Sequence, residues 1–233
     1  MLNSAIFIKV KERLNKLDSS DYDNIEPWQI IEAFNKGQVD WCRRNLHGTN
    51  LKQEGDEQST RRIDDLEVLL VSIPFILNNR VTYFEGDKPG NYLQWKRVSA
   101  KATKECCTKP KPLVIYLAEQ GNLDELLRDK NKKPSFEWGE TFATQKTNKI
   151  QIYTNGEFEI KNAEITYYRQ PIHIEVQGVV DPYTGIVSPV DVISEFKDDM
   201  VELFIDEAVK IIAGDIESMN QLQRAGQAVE DNN

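Results

Sequence analysis

Apolar residues in the first part of the chain recur at three- and four-residue spacing, which is typical of helices with one buried stripe. The segment 4–17 shows this spacing at Ile6, Phe7, Val10, Leu14 and Leu17. A second helix is predicted from Pro27, whose missing N–H costs nothing in the first turn, to about Gly48. A shorter third helix is predicted over residues 60–66.

The period changes to two between residues 67 and 171, which predicts β-strands with one apolar and one polar face. Strands are expected at 67–73, 80–84, 92–98, 112–116 and within 150–171. Asn155-Gly156 divides the last segment, and this pair favours a type I′ turn because both central residues need a positive φ. We therefore expect a β-hairpin here, within a half-buried antiparallel sheet.

Helical spacing returns near the end of the chain. A brief helix capped by Asn122 interrupts the β region, and the longest helix is predicted from Ser194 to about Met219. The tail from Gln221 to Asn233 is polar enough to be disordered in isolation.

These elements predict an α+β fold with a discontinuous helical bundle, formed by the N-terminal helices and the long C-terminal helix, and an inserted antiparallel β domain. A single amphipathic helix cannot bury its stripe alone, so the C-terminal helix is expected to return onto the first helices. The predicted domains are 1–66 with 190–220, the β-rich insertion 67–189, and the tail 221–233.

Composition limits the possible functions. The chain has 233 residues, of which 39% are hydrophobic, and its 38 acidic and 29 basic side chains give a net charge of −9. That charge disfavours tight wrapping around nucleic acid, which requires cations. No apolar run approaches the roughly 20 residues needed to span a bilayer, and three cysteines suit a reducing cytoplasm.

Candidate catalytic and metal-binding residues are present but form no recognised motif. Cys42, His47 and the Cys106-Cys107 pair could hold zinc, yet no Cys-x-x-Cys spacing occurs. His173 alternates with isoleucines on a predicted strand, and the pairs Asp64-Asp65 and Asp198-Asp199 fall near helix starts, where carboxylates are favoured by the helix dipole. We therefore predict no catalytic residue, no metal site and no cofactor.

Aromatic and basic residues mix at 95–97 (Trp-Lys-Arg) and at 167–169 (Tyr-Tyr-Arg). Single-stranded bases can stack on such a sheet surface. An accessory protein that binds a peptide or nucleic acid with its β face therefore remains the alternative interpretation.

A succession of short markers carries a resemblance to a known group of proteins. The markers are PGNYL (89–93), LLRDKNKKPS (126–135), KIQIY (149–153), ITYYRQP (165–171) and IDEAVKIIAGDIES (205–218). In this order they resemble the virion ring proteins, from the neck and tail connector, of crAss-like phages that infect Bacteroides-type bacteria. The resemblance extends from about Trp28 to Glu217, but residues 101–112 have no counterpart in it.

The resemblance implies a non-enzymatic virion protein that is assembled in the cytoplasm of the host bacterium. It implies a ring of identical subunits, dodecameric by resemblance, between the portal and other ring or tail proteins. Genomic DNA would pass through the lumen without sequence-specific binding, and no membrane would be involved. Ring closure needs two different faces on each subunit. The candidate interface residues are Asn155, Gly156, Tyr168, Arg169, Pro171 and, in the tail, Leu222.

Overall fold

The structure is a computed structural model that describes residues 1–15, 25–47, 64–105 and 107–215, together with the single residue 227. The chain divides into two compact units. One unit holds Met1–Val68 and Pro171–Asn233, and the other holds Leu69–Gln170. Residues 171–189, which the sequence placed with the β region, thus belong to the unit that contains the long helices.

The first unit is built on three helices, α1 (Asn3–Asn15), α2 (Pro27–His47) and α4 (Asp198–Asp215). Their buried stripes meet around Phe204 of α4, whose ring packs edge-on against Phe34 and Trp41 of α2 at 5.9 and 5.6 Å. Ion pairs border this core, since Arg13 of α1 binds Asp206 at 2.6 Å and Arg44 of α2 binds Glu207 at 2.5 Å. The predicted first two helices are confirmed, and Pro27 is the first residue of α2.

The second unit is one sheet of eight strands. The strands are β1 (Leu70–Pro74), β2 (Asn78–Asn79), β3 (Tyr83–Asp87), β4 (Tyr92–Lys104), β5 (Cys107–Leu117), β6 (Glu140–Lys146), β7 (Lys149–Tyr153) and β8 (Glu159–Arg169). Their order in the sheet is β1-β8-β4-β5-β6-β7-β3-β2. One face carries the apolar core, with Ile150, Ile152 and Ile165 fully buried.

The predicted fold class is wrong. The dominant feature is a large curled mixed sheet, a half-barrel, rather than a helical bundle that carries an inserted antiparallel domain. β5 and β6 run parallel, joined by a crossover that contains the short helix α3 (Leu123–Arg128). Parallel neighbours require such a crossover. Alternation of apolar residues shows which face of a strand is buried, but it carries no information on the direction of the neighbouring strand.

The predicted hairpin is also wrong, although its turn is present. Asn155 and Gly156 both have positive φ, 53° and 73°, as a type I′ turn requires. The strands on either side, β7 and β8, do not pair; three other strands lie between them. β8 instead pairs with β1 and β4, and β7 pairs with β3 and β6.

Other elements differ in extent from the sequence predictions. Strands β2 and β6 were not predicted, and the last helix begins at Asp198 rather than Ser194. Residues 64–66 are helical, whereas the start of the predicted third helix lies outside the described residues, as do the loop 50–59 and almost all of the tail. In the part of the chain that the structure describes, none of the helices combines the length and apolar character needed to cross a membrane.

The strand β3 passes so close to the segment after β1 that only glycine fits at position 86. A Cβ there would lie 2.5 Å from Cζ of Phe75 and 2.7 Å from the backbone oxygen of Ile76. We predict that Gly86→Ala lowers the free energy of unfolding by about 1–3 kcal/mol, because a backbone atom cannot move aside as a flexible side chain can. Gly90→Ala is the matched control, since a Cβ at that position meets nothing within 4 Å. Urea denaturation compares the two, and equal midpoints would contradict the close approach.

Candidate functional site

The predicted interface residues lie at opposite ends of β8. Asn155 and Gly156 are exposed in the turn before this strand, whereas Tyr168 and Arg169 end it. The 11 residues of β8 span about 35 Å, so these residues do not form one site. Tyr168 and Pro171 are buried, and Leu222 lies outside the described residues.

The aromatic residues proposed to stack on bases belong to the interior of the sheet. Tyr167 is only 2% exposed, and its ring stacks on Tyr92 with centroids 5.7 Å apart. Its hydroxyl donates to Oδ1 of Asn91 at 2.9 Å, and Trp95 packs against the same core. The Tyr167 ring therefore fills the core and is not available to a ligand, whereas Trp95 is partly buried against the same core.

The candidate chemical groups lie apart and are engaged in structural contacts. Cys42 is fully buried, and this burial raises the pKa of its thiol to about 12, so the reactive thiolate is disfavoured. Asp64 pairs with Lys197 at 2.5 Å, and Asp198 pairs with the N-terminal amine at 2.5 Å. Cys106 lies outside the described residues, among which no three His, Cys, Asp or Glu side chains group as metal ligands.

An extended segment that the sequence did not single out forms the most distinctive surface of the first unit. Residues 174–196, here called the arm, fold back on themselves through the antiparallel bridges Glu175↔Val192 and Val180↔Val187. The tip is closed by Asp181, whose carbonyl accepts from the Gly185 N–H at 2.8 Å and whose carboxylate accepts from the Tyr183 N–H at 2.9 Å. The latter bond holds the pKa of the Asp181 carboxyl below its ordinary value.

Side-chain amides on α1 and α2 fix the base of the arm. Asn35 makes both backbone hydrogen bonds of a strand partner, since its Oδ1 accepts from the Ile174 N–H at 2.8 Å and its Nδ2 donates to the Ile174 oxygen at 3.2 Å. Gln38 donates to the Ile172 oxygen at 3.0 Å, and Asn3 donates to the Glu175 oxygen at 2.8 Å. The backbone at the base of the arm is therefore hydrogen-bonded to these two helices.

Many side chains of the arm are, by contrast, large, apolar and exposed to solvent. From position 172 to 193, the exposed large apolar residues are Ile172, Val180, Tyr183, Ile186, Val187, Val190 and Ile193. Tyr183 contacts Trp28 edge-on at 6.4 Å, yet it remains 78% exposed. Exposed apolar side chains gathered on one segment in this way are typical of sites of protein–protein contact.

All the charged side chains of the arm are acidic. Residues 174–196 contain four carboxylates, Glu175, Asp181, Asp191 and Glu195, and no lysine, arginine or histidine. Asp191 accepts from the Gln177 N–H at 2.9 Å, whereas the Glu175 side chain is exposed. The arm therefore combines apolar contact area with negative charge.

The opposite charge is concentrated on β4 in the other unit. This strand contains four cationic side chains and no acid; the cations are Lys96, Arg97, Lys101 and Lys104. On β5, by contrast, Lys111 lies 5.0 Å from the ring of the buried Phe136. Lys101 lies directly opposite Lys161 of β8, and like charges in this position destabilise a sheet. Val114 and Tyr116 of β5 are about half exposed beside them. We call this surface the basic strand pair.

No protein-family model matches the chain, and no curated protein matches it in sequence.

Sequence signals for both surfaces were present. The absence of cations over 174–196 and the turn sequence Asp-Pro-Tyr-Thr-Gly at 181–185 mark the arm, and the run of lysines in 96–111 marks the strand pair. Their exposure could not be read from the sequence, because an apolar residue carries no sign of whether it lies inside or outside.

We predict that Asn35→Ala destabilises the protein by about 1–3 kcal/mol, because it leaves the buried N–H and carbonyl of Ile174 without partners. Hydrogen exchange at residues 172–176 should accelerate in this variant. Lys36→Ala, at an exposed position of the same helix, is the control and should leave both quantities unchanged. If the two variants behave alike, the amide of Asn35 does not hold the arm.

Proposed function

We propose that this protein is a non-enzymatic structural subunit of a phage head-to-tail connector. Its copies close into a ring around the DNA channel between portal and tail, so its partners are further copies, the portal and other ring or tail proteins. The class of protein, a phage ring protein, is proposed because the sequence markers resemble those of the ring proteins of crAss-like phages. The observation that carries the proposal is the arm, with its six exposed large apolar side chains.

The arm supports an assembling subunit for an energetic reason. Each fully buried large apolar side chain contributes about 1.5–3 kcal/mol relative to exposure, and the arm leaves this contribution unused within its own chain. Asn3 and Asn35 hold the backbone at the base of the arm, so part of the conformational entropy is already lost before binding. An ordered apolar surface of this kind suits a permanent protein contact.

A ring also needs two different surfaces on each subunit, because each copy meets the next in the same head-to-tail sense. The arm and the basic strand pair differ in charge and in secondary structure, as a heterologous interface requires. The acidic net charge of −9 supports a lumen through which DNA slides without adhering.

The alternative function, an accessory protein that binds nucleic acid with its β face, is favoured by the basic strand pair. Tyr116 and Trp138 are exposed near one another in the same groove, and aromatic rings beside cations are the usual means of binding single strands. That groove is also lined by Glu119, Glu125 and Glu137, which repel phosphate. We therefore rank this function second.

Native mass spectrometry and negative-stain imaging of the protein, alone and with the co-expressed portal, test the proposal. We predict closed rings in one of the two samples, because the exposed apolar arm is stabilised only when it is covered. A protein that stays monomeric and never joins portal or tail components would contradict this function. Tight binding of single-stranded DNA by that monomer would favour the alternative.

A further inference from the structure

We propose that the arm of one copy docks on the basic strand pair of a second copy. This inference rests on the proposed function, and it assigns the two surfaces that meet between neighbouring subunits. The two surfaces belong to different units of the chain.

Charge complementarity identifies the arm of a second copy as the partner of the basic strand pair. The arm carries four acids and no cation, whereas β4 carries four cations and no acid. Within the described residues, no carboxylate forms an ion pair with Arg97, Lys101, Lys104 or Lys109. Opposed surfaces of this kind set the register and partner of an interface.

The cross-strand geometry of the basic strand pair points to an acidic partner. The register places Lys101 opposite Lys161 on one side and opposite Pro112 on the other. Lys161 has Glu159 3.9 Å away, and Glu164 lies opposite Ser99 in the register. Among the described residues, however, no carboxylate lies within ion-pair distance of Lys101. Carboxylates of a docked arm would offset this repulsion.

Apolar surface on the strand pair distinguishes a protein partner from nucleic acid. Ser99 lies opposite Val114 in the register, so the exposed Val114 shares the outer face with Lys101. Two residues further along β5, Tyr116 lies on the same face and is 56% exposed. The arm offers Ile186, Val187 and Val190 between its carboxylates, whereas a phosphate backbone offers nothing to cover these residues.

Charge reversal tests the docking. The arm-reversed variant combines Glu175→Lys, Gln177→Lys and Asp191→Lys, which leaves two acids and three cations in the arm. The strand-reversed variant combines Arg97→Glu, Lys101→Glu and Lys104→Glu, which leaves one cation and three acids on β4. All six side chains are exposed. We expect each variant alone to lose self-association, with a dissociation constant raised about tenfold or more, because like charges then face each other. Analytical ultracentrifugation, alone and with the portal, measures this loss.

Recovery of association is the decisive part of the experiment. A 1:1 mixture of the two variants should associate again, because each arm then finds a strand pair of opposite charge on the other variant. The chain that carries all six substitutions should also associate with itself. The control combines Glu12→Lys, Asp124→Lys and Asn148→Lys, at exposed positions outside both surfaces. It has the same charge change as the arm-reversed variant and should associate like the wild type.

Other outcomes would contradict either the docking or the proposed function, and they distinguish the two. If the wild type forms rings and both reversed variants form them equally well, the docking is wrong while the proposed function stands. If the wild type neither associates nor joins the portal, the proposed function is wrong. If the sixfold variant recovers but the mixture does not, the docking on a second copy is wrong. If strand reversal abolishes only the binding of single-stranded DNA, the basic strand pair serves nucleic acid, and the docking is again overturned.

Discussion

The five residues that join β7 to β8 impose the constraint on which the sheet depends. These strands lie four steps apart in the sheet order, about 19 Å if the sheet were flat. The connection 154–158 could reach about 20 Å only if fully extended, yet Asn155 and Gly156 turn back within it and Glu157 donates to the Thr154 oxygen at 3.0 Å. The sheet must therefore curl until its two parts approach. Phe158, at the end of the connection, then packs on Phe136 in the enclosed core.

Because the sheet curls, one face of the central strands is enclosed and the other faces solvent. Val98, Ala100 and Ile115 fill the enclosed face, so the alternate side chains Arg97, Lys101 and Val114 are left on the outer face. In the other unit, amides of α1 and α2 bind the backbone at the base of the arm, and its apolar side chains remain exposed. Both surfaces thus follow from how each unit packs its own core, and both keep apolar side chains exposed to solvent.

The sequence predicted those elements whose pattern depends on one segment alone. The stripe Ile6, Val10 and Leu14 gave α1, and Pro27 marked the first residue of α2, because helical periodicity and backbone geometry are local. The same logic failed for strand pairing. Asn155-Gly156 adopts the expected turn, but whether its flanking strands pair depends on competition from β1, β4 and β6, which no local pattern records. For the same reason Tyr168 looked like surface and is buried, while the exposed arm was not recognised.

The central claim is that the exposed apolar arm is an assembly surface covered by another copy of the chain. A cryo-electron microscopy map of the assembled ring, at a resolution that traces the backbone, tests it most directly. The account predicts that residues 174–196 of each subunit lie on β4 and β5 of the next, with Val187 and Ile186 excluded from solvent. A map in which the arm faces solvent in every subunit, or in which the ring contains no copy of this protein, would contradict it.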